Sequence, residues 1–505
     1  MTERVYNVLH LYSGSGGSAL GFQEAQAEFR GTVGQFRTLC GIDVDPQACA
    51  DFTALTGAPA VQMDLFSRED YIAWHGHEPP AEWREATPDD IRAATGGERP
   101  DAVFLSPPCK GMSGLQPKER ADSPKYQALN NLTFRGVWLT LEAWSDDLPG
   151  LILLENVPRI TTRGGHLLRS IRGLLSHYGY VFHESAHDCG ELGGLAQHRK
   201  RYLLVARHPE KVPIWLYQPP KQRVRAIGEV LEQLPLPGDP AAGPLHRIPR
   251  LEWRTWVRLA LIPAGKDWRA LQDLDFGSYR ITPEMNGQHT NKYRVQRWDT
   301  PAGTVTGSDR LGSGAPAVAD PRLNSSVYDG AYRVSPWDRP APTVTSNAGV
   351  TGSCGAVTDP RLGHEPRKGV FRVAPWDEPA GAVTGAGDIH SQGAAAVADP
   401  RMPTDGDRGV WVIVAPDSTW HRPLTTLELA ALQGFPTVMP DGRPLTLAGN
   451  SDKSFRERIG NAVPVPTAKA IAGQILRTLL MSNAGVWEAS PTPVWVQPDE
   501  YQAAL

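Results

Sequence analysis

The chain has 505 residues, 40% of them hydrophobic and 21% charged, with a formal net charge of −4. These values exclude a disordered or fibrous chain and allow a full core shared between two or more lobes. They say nothing for or against a nucleic-acid partner, because local basic patches are hidden in a whole-chain sum.

The N-terminus, MTERVYNVLHLYSGSGG, lacks the basic-then-apolar pattern of a signal peptide. No apolar run approaches the ~20 residues needed to span a bilayer, so a soluble chain without membrane contact is expected. Residues 5–12 (VYNVLHLY) predict a buried strand that ends in the turn Ser13-Gly14-Ser15-Gly16-Gly17, and a helix-like stretch begins at Leu20. Further buried strands are predicted at 38–43, 102–106, 151–155 and 202–206, with helical patterns between several of them, as at 132–144 and 166–177. This alternation predicts an α/β domain with a mostly parallel sheet and helices on both faces. Residues 67–97 read as a charged, partly helical insertion without clear chemistry.

After about residue 215 the texture changes to Gly- and Pro-rich segments. Three of them repeat Arg-Val-x-x-Trp-Asp-x-Pro-Ala, then a Val-Thr pair, then Asp-Pro-Arg, over about 293–323, 332–362 and 371–402. Their tryptophans are Trp298, Trp337 and Trp376, so the period is 39 residues in both intervals (337−298 and 376−337). A fixed period marks duplicated supersecondary units, here predicted to be β-rich. Helical patterning returns at 426–433 and 466–480, and the final residues, 483–505, read as a tail. The stretch 247–258 (RIPRLEWRTWVR) suits either a phosphate-tracking surface or an amphipathic helix with its Trp residues inward.

Several positions carry candidate chemistry. A strand entering a Gly-rich turn ahead of a helix lets a ligand approach the backbone closely, although many such turns are only tight loops. Asp43 stands where an acidic group holds ribose hydroxyls in nucleoside-binding α/β folds, and Asp64 could accept from an adenine amino group; each also reads as a solvated strand-end carboxylate. Asp101 to Ser113 (DAVFLSPPCKGMS) is an apolar strand broken at Pro107-Pro108, with Cys109 at the edge where open α/β sheets bind ligands. A thiol there, ahead of a glycine-containing loop, is a better candidate nucleophile than a buried structural Cys. The strand 151–155 delivers Glu155 to the same edge, where a carboxyl can act as a general acid. Arg199 and Arg201 alternate along an extended segment and should point the same way, suiting phosphate or base-oxygen recognition. The five cysteines include no C-x-x-C pair, so no metal site is predicted and free thiols in a reducing cytoplasm are expected.

In this order, the glycine turn, Pro107-Pro108-Cys109, Glu155-Asn156-Val157 and Gln197-x-Arg199-x-Arg201 resemble the DNA cytosine-5 methyltransferase family. So do Arg422-Pro423-Leu424-Thr425, Leu432-Gln433-Gly434-Phe435-Pro436 and Arg458-Ile459-Gly460-Asn461-Ala462-Val463-Pro464. The resemblance covers residues 5–207 and 420–480. It implies an S-adenosylmethionine-dependent methyltransferase fold of Rossmann-like type, with a smaller β-rich target-recognition domain. The expected division is a catalytic domain at 1–210, recognition at 211–415, a returning segment at 416–482, and the tail.

The resemblance also implies roles. Cys109 would attack C6 of a cytosine flipped out of double-stranded DNA, Glu155 would bind or protonate N3, Arg201 would hold O2, and Arg199 would steady the site. The cofactor S-adenosylmethionine, leaving as S-adenosylhomocysteine, would lie on Tyr12, Gly14, Gly16, Gly17, Val44 and Pro107, with Asp43 on the ribose and Asp64 on the adenine. Asn461 and Val463 would complete that pocket. No metal is implied, and a monomer in the cytoplasm of a prokaryotic or phage-infected cell is expected. DNA contacts are assigned to Lys110 and Ser113 in the closing loop.

Three positions depart from the family's pattern: Lys110 where Gln is common, Met112 where Phe is usual, and Ala196 where Pro often stands. Lys110 adds a charge to the closing loop and leaves open transfer of a bulkier alkyl group. Within the recognition segment each repeat reads either as a unit for its own DNA site, as in phage-encoded relatives with tandem units, or as a duplicated scaffold. Arg310, Asn347 and His390, in Gly-rich segments that differ between repeats, are the candidate base contacts. Two rival functions are the same chemistry on RNA and a non-catalytic DNA-binding protein that kept the fold; intact Cys109, Glu155 and Arg201 oppose the second.

Overall fold

The computed structural model describes residues 2–108, 112, 123–248, 256, 260–262, 377–380 and 421–496, plus the backbone of Trp420 and of short strands at 295–297, 317–319, 334–336, 356–358, 373–374 and 396–399. Among these residues, eight strands form the main sheet: β1 (Thr2–Leu11), β2 (Gln26–Phe29), β3 (Thr32–Asp43), β4 (Ala60–Gln62), β5 (Ala102–Leu105), β6 (Leu151–Asn156), β7 (Val181–Asp188) and β8 (Lys200–Arg207). Their order is β2-β3-β1-β5-β6-β8-β7, with β4 also on β3. The central pairs β3/β1, β1/β5 and β5/β6 are parallel, as is β3/β4. β2 and β8 run antiparallel to their neighbours, and β7 pairs antiparallel with β8.

The apolar runs are explained by burial of the sheet on both faces. Alternate residues Leu9, Leu11, Val103, Leu105, Ile152 and Leu154 pack toward the helices Pro124–Ala143 and Gly165–His177. The intervening Val8, Ala102, Phe104, Leu151 and Leu153 pack toward Phe22 of the helix Gly17–Glu24 and toward Val465–Asn483. The chain leaves β1 toward β3 on one side and places β5 on the other, so a crevice opens at the C-terminal end of β1.

The returning segment contributes Thr426–Leu432, Asp452–Asn461 and Val465–Asn483. The Arg-Pro-Leu-Thr sequence is a helix entrance. Thr425 caps Thr426–Leu432 in a reciprocal capping box with Glu428, and Glu428 forms a fully buried ion pair with Arg422 at 2.7 Å. Gln433 is buried behind it, and its Nε2 donates to the Ile459 carbonyl at 3.2 Å.

Each repeat contains one short parallel strand pair: Val295–Arg297 with Ala317–Ala319, Val334–Pro336 with Ala356–Thr358, and Val373–Ala374 with Ala396–Asp399. Partners are 22, 22 and 23 residues apart (317−295, 356−334, 396−373), so the third repeat carries one extra residue between its strands. Its second strand also pairs antiparallel with Trp420–Pro423. The chain divides into two compact units: Met1–Arg280 with Gly369–Met402 and Val414–Leu505, and Ile281–Lys368 with Pro403–Ile413. The third repeat thus falls in the unit that holds the main sheet, whereas the sequence placed all three in one recognition domain.

The expected tail differs too. Val494–Val496 is a strand paired with Leu216–Tyr217, and Trp495 is buried with its indole N–H donating to Ser185 Oγ at 3.2 Å. An indole that can bury its ring and still find an acceptor anchors a chain end firmly. Among the described residues, no helix is long and apolar enough to cross a membrane.

Candidate active site

The crevice at the end of β1 is formed by a tight turn. Tyr12 has φ 56°, Gly14 φ 51° and Gly16 φ 89°, the left-handed region that costs a non-glycine residue energy and that Tyr12 nonetheless adopts. Its conformation is held from both ends: the hydroxyl donates to the Leu132 carbonyl at 2.6 Å, and its own carbonyl accepts from Ser106 Oγ at 3.0 Å. Gly17 is required for a different reason, because a Cβ there would lie 2.3 Å from the Val463 carbonyl. The turn and the returning segment therefore meet at Gly17 and Val463. Asn461, two residues before Val463, is exposed.

Asp43, at the end of β3, accepts the Gly14 N–H at 2.9 Å and the Asp45 N–H at 3.0 Å. Burial raises its carboxyl above the usual range, against the pull of those two N–H groups. Val44 beside it is exposed although apolar, a surface suited to a flat heterocycle. Asp64 receives the Phe66 N–H on Oδ1 at 3.0 Å and the Trp83 indole N–H on Oδ2 at 3.1 Å. Trp83 belongs to the insertion at 67–97, so that segment orients a candidate ligand residue instead of lacking chemistry. It was missed because nothing in its local pattern ties residue 83 to residue 64.

β5 ends at Leu105 and hands the chain to Ser106, buried Pro107 and Pro108. Cys109, Lys110 and Ser113 lie outside the described residues, as do Arg310, Asn347 and His390. Met112, one of the departures, is fully buried in the same core cluster as Leu105 and Ile160.

The neighbouring strands bring two further candidates together. β6 and β8 pair with Glu155 opposite Leu203, which sets Arg201 beside the carboxylate. Arg201 Nε lies 2.8 Å from Glu155 Oε1, and both side chains are largely buried. Arg199 goes elsewhere: it is buried, donates from Nη2 to the Ala462 carbonyl at 3.1 Å, and its backbone N–H donates to Asp188 at 2.9 Å. It is a strut to the returning segment, where the sequence reading had it point the same way as Arg201 and steady the site or a phosphate. Burial would raise the Asp188 carboxyl, but the Arg199 N–H and His198, whose Nδ1 is 2.7 Å away, hold it below its ordinary value.

A second buried network was not foreseen. Asp51 accepts from Arg458 Nε at 2.7 Å, from the Ala448 N–H at 2.6 Å and from Ser15 Oγ at 3.1 Å. It joins the glycine turn to the helix Asp452–Asn461 across a long sequence separation, which no local pattern announces. No group of three metal-ligating side chains occurs among the described residues.

The family described as C-5 cytosine-specific DNA methylase matches residues 6–234 and 371–477, most of the chain. The chain belongs to this family. The match stops before the first two repeats and resumes at Phe371, the start of the third. The chain is 27% identical over 214 residues to Type II methyltransferase M1.BsuMI of Bacillus subtilis (strain 168), an alignment spanning 42% of this chain and 45% of that relative. Similar solved structures include a protein assigned as a DNA modification methyltransferase encoded within an E. coli prophage, at 16% identity and TM-score 0.46, covering 94% of this chain and 99% of that one. Another is the S. pombe Dnmt2 methyltransferase, at 16% identity and TM-score 0.43, covering 95% and 99%.

Proposed function

We propose that this methylase transfers a methyl group from S-adenosylmethionine to C5 of a cytosine flipped out of double-stranded DNA, through a covalent bond between Cys109 and C6. The observation that carries the reading is the Glu155–Arg201 pair at the same sheet edge as the glycine turn, with β5 between them, in a chain of this family.

The turn suits the cofactor. Gly14 has open space where a Cβ would stand, Asp43 presents a buried carboxylate for ribose hydroxyls, and exposed Val44 and the Asp64 carboxylate suit the two characters of an adenine ring. When bound, S-adenosylmethionine supplies an electrophilic methyl group on a sulfonium.

On the DNA side, the Cys109 thiolate adds to C6 and pushes electron density toward C5 and N3. Glu155, hydrogen-bonding with or protonating N3, relieves the charge that builds there. Arg201 fixes the Glu155 carboxyl and has guanidinium N–H groups left to hold the base's O2. After C5 is methylated, loss of its proton and expulsion of Cys109 restore the aromatic ring. Catalysis is assigned to 1–210 with 416–482, and sequence reading to 211–415, through Arg310, Asn347 and His390, with Lys110 and Ser113 closing on the DNA. The enzyme acts as a cytoplasmic monomer in this reading.

The test is a trap. Duplex DNA carrying 5-fluorocytosine, which has no C5 proton to lose, should hold the protein in a denaturant-resistant adduct in the presence of S-adenosylmethionine. Cys109→Ser should give none, and an adduct that survives this substitution would sink the mechanism. Bisulfite sequencing of DNA from a methylation-free host expressing the protein would give the sites.

A further inference from the structure

We infer that Ala380 of the third repeat is a positioning residue for the Glu155–Arg201 pair, and that its seat accepts the Trp-Asp-x-Pro-Ala sequence of any of the three repeats. The inference rests on the catalytic reading above.

Ala380 forms a parallel bridge with Gln197: its N–H donates to the Ala196 carbonyl at 2.8 Å, and its carbonyl accepts the His198 N–H at 3.1 Å. Beside it, the Glu378 carbonyl accepts the Ile227 N–H at 2.7 Å. Gln197 is locked on its other side by donating to the Leu432 carbonyl at 2.8 Å and to Gln433 Oε1 at 3.0 Å. Two residues later Arg199 enters its strut to Ala462, and two further Arg201 reaches Glu155. Side chains alternate along a strand, so a slip of one residue at this entrance would exchange Arg201 for Lys200 at the carboxylate. The bridge to Ala380 pins that register.

The seat makes few demands on sequence. Its three bonds are all backbone to backbone, Ala380 is 1% exposed so that only a small side chain fits, and Glu378 lies exposed with its carbonyl doing the bonding. These are the features the repeats share and vary: the Ala recurs at 302, 341 and 380, while the position two before it is Thr300, Arg339 or Glu378. Deleting residues 342–380 joins Ala341 to Gly381 and puts the second repeat's five residues where the third's stood.

The experiment compares Ala380→Glu, Ala380→Gly, Ala302→Glu, Ala341→Glu and the 342–380 deletion in the full chain. The readouts are hydrogen exchange at the His198 amide and steady-state kinetics on a methylatable duplex. Ala380→Glu should speed His198 exchange and lower kcat, each by about tenfold or more, with KM for S-adenosylmethionine within about twofold. Ala380→Gly, Ala302→Glu and Ala341→Glu should keep both the protection and kcat, and the deletion, which also removes Asn347, should keep the protection. Unchanged exchange in Ala380→Glu, equal damage from Ala302→Glu or Ala341→Glu, or lost protection in the deletion would overturn the inference. If Ala380→Glu unfolds the chain, seen as lost protection in β1 as well, the deletion decides alone. A wild-type chain that protects His198 yet methylates nothing would fail the catalytic reading and leave the seat intact.

Discussion

Glu155 and Arg201 illustrate what a single residue contributes and what its neighbour decides. Each alone is an ordinary strand-end charge; at 2.8 Å in a largely buried setting, the two form an ion pair. His10, in the strand that enters the glycine turn, shows the same dependence in its titration. Burial among Phe22 and Phe104 pushes its pKa down to about 3, and its Nδ1 is 3.1 Å from Ser18 Oγ. The unfolded chain then takes up a proton near the ordinary histidine value while the folded chain does not. Stability is therefore full above that value and falls as pH drops toward the folded one. Between pH 7.5 and pH 5 this group should remove roughly 2 kcal/mol. A melting-temperature series against pH should be flatter in His10→Gln than in wild type, and parallel curves would disprove the assignment. His10 itself was legible only as part of an apolar run, because periodicity reports burial and not the partners of a ring nitrogen.

At the scale of elements, the helices and central strands follow directly from local pattern. The stretch 166–177 was read from its periodicity and forms Gly165–His177; 151–155 was read as an apolar run and forms β6. The antiparallel β7 escaped notice because its half-exposed face breaks the apolar run. The family motifs of the returning segment divide by role. Val463 closes on the glycine turn, whereas Arg422, Thr425, Glu428 and Gln433 build the entrance to a helix and its buried anchor. Burial would raise the Glu428 carboxyl, but Arg422 beside it holds it below its ordinary value. Glu428→Ala leaves the arginine charge buried and unpaired and should destabilise the fold by about 3–5 kcal/mol. Urea unfolding would measure this, and a shift of less than about 1 kcal/mol would argue that Arg422 finds another partner.

Over the whole molecule, the unit that holds the main sheet is assembled from three stretches of chain far apart in sequence. The third repeat and the strand Val494–Val496 both fall within it, and that strand is part of the packed structure. Trp495→Ala removes a buried ring from between β7 and the Leu216–Tyr217 strand and should cost about 3–5 kcal/mol. The urea midpoint tests this, and an unchanged midpoint would show that the strand is not part of the cooperative core.

The amino-acid sequence by itself determined the α/β layering, the glycine turn, the family and the 39-residue period, because these are written in local spacing and residue type. Tertiary structure alone decided which charges meet. Arg199 and Arg201 were expected to act together, yet the pairing of β8 with β6 sends Arg201 to Glu155 while the returning segment captures Arg199. Asp51 finds Arg458, Asp64 finds Trp83 and Ala380 finds Gln197 in the same way. Such contacts depend on how distant segments pack, and a local pattern carries no information about a partner tens or hundreds of residues away.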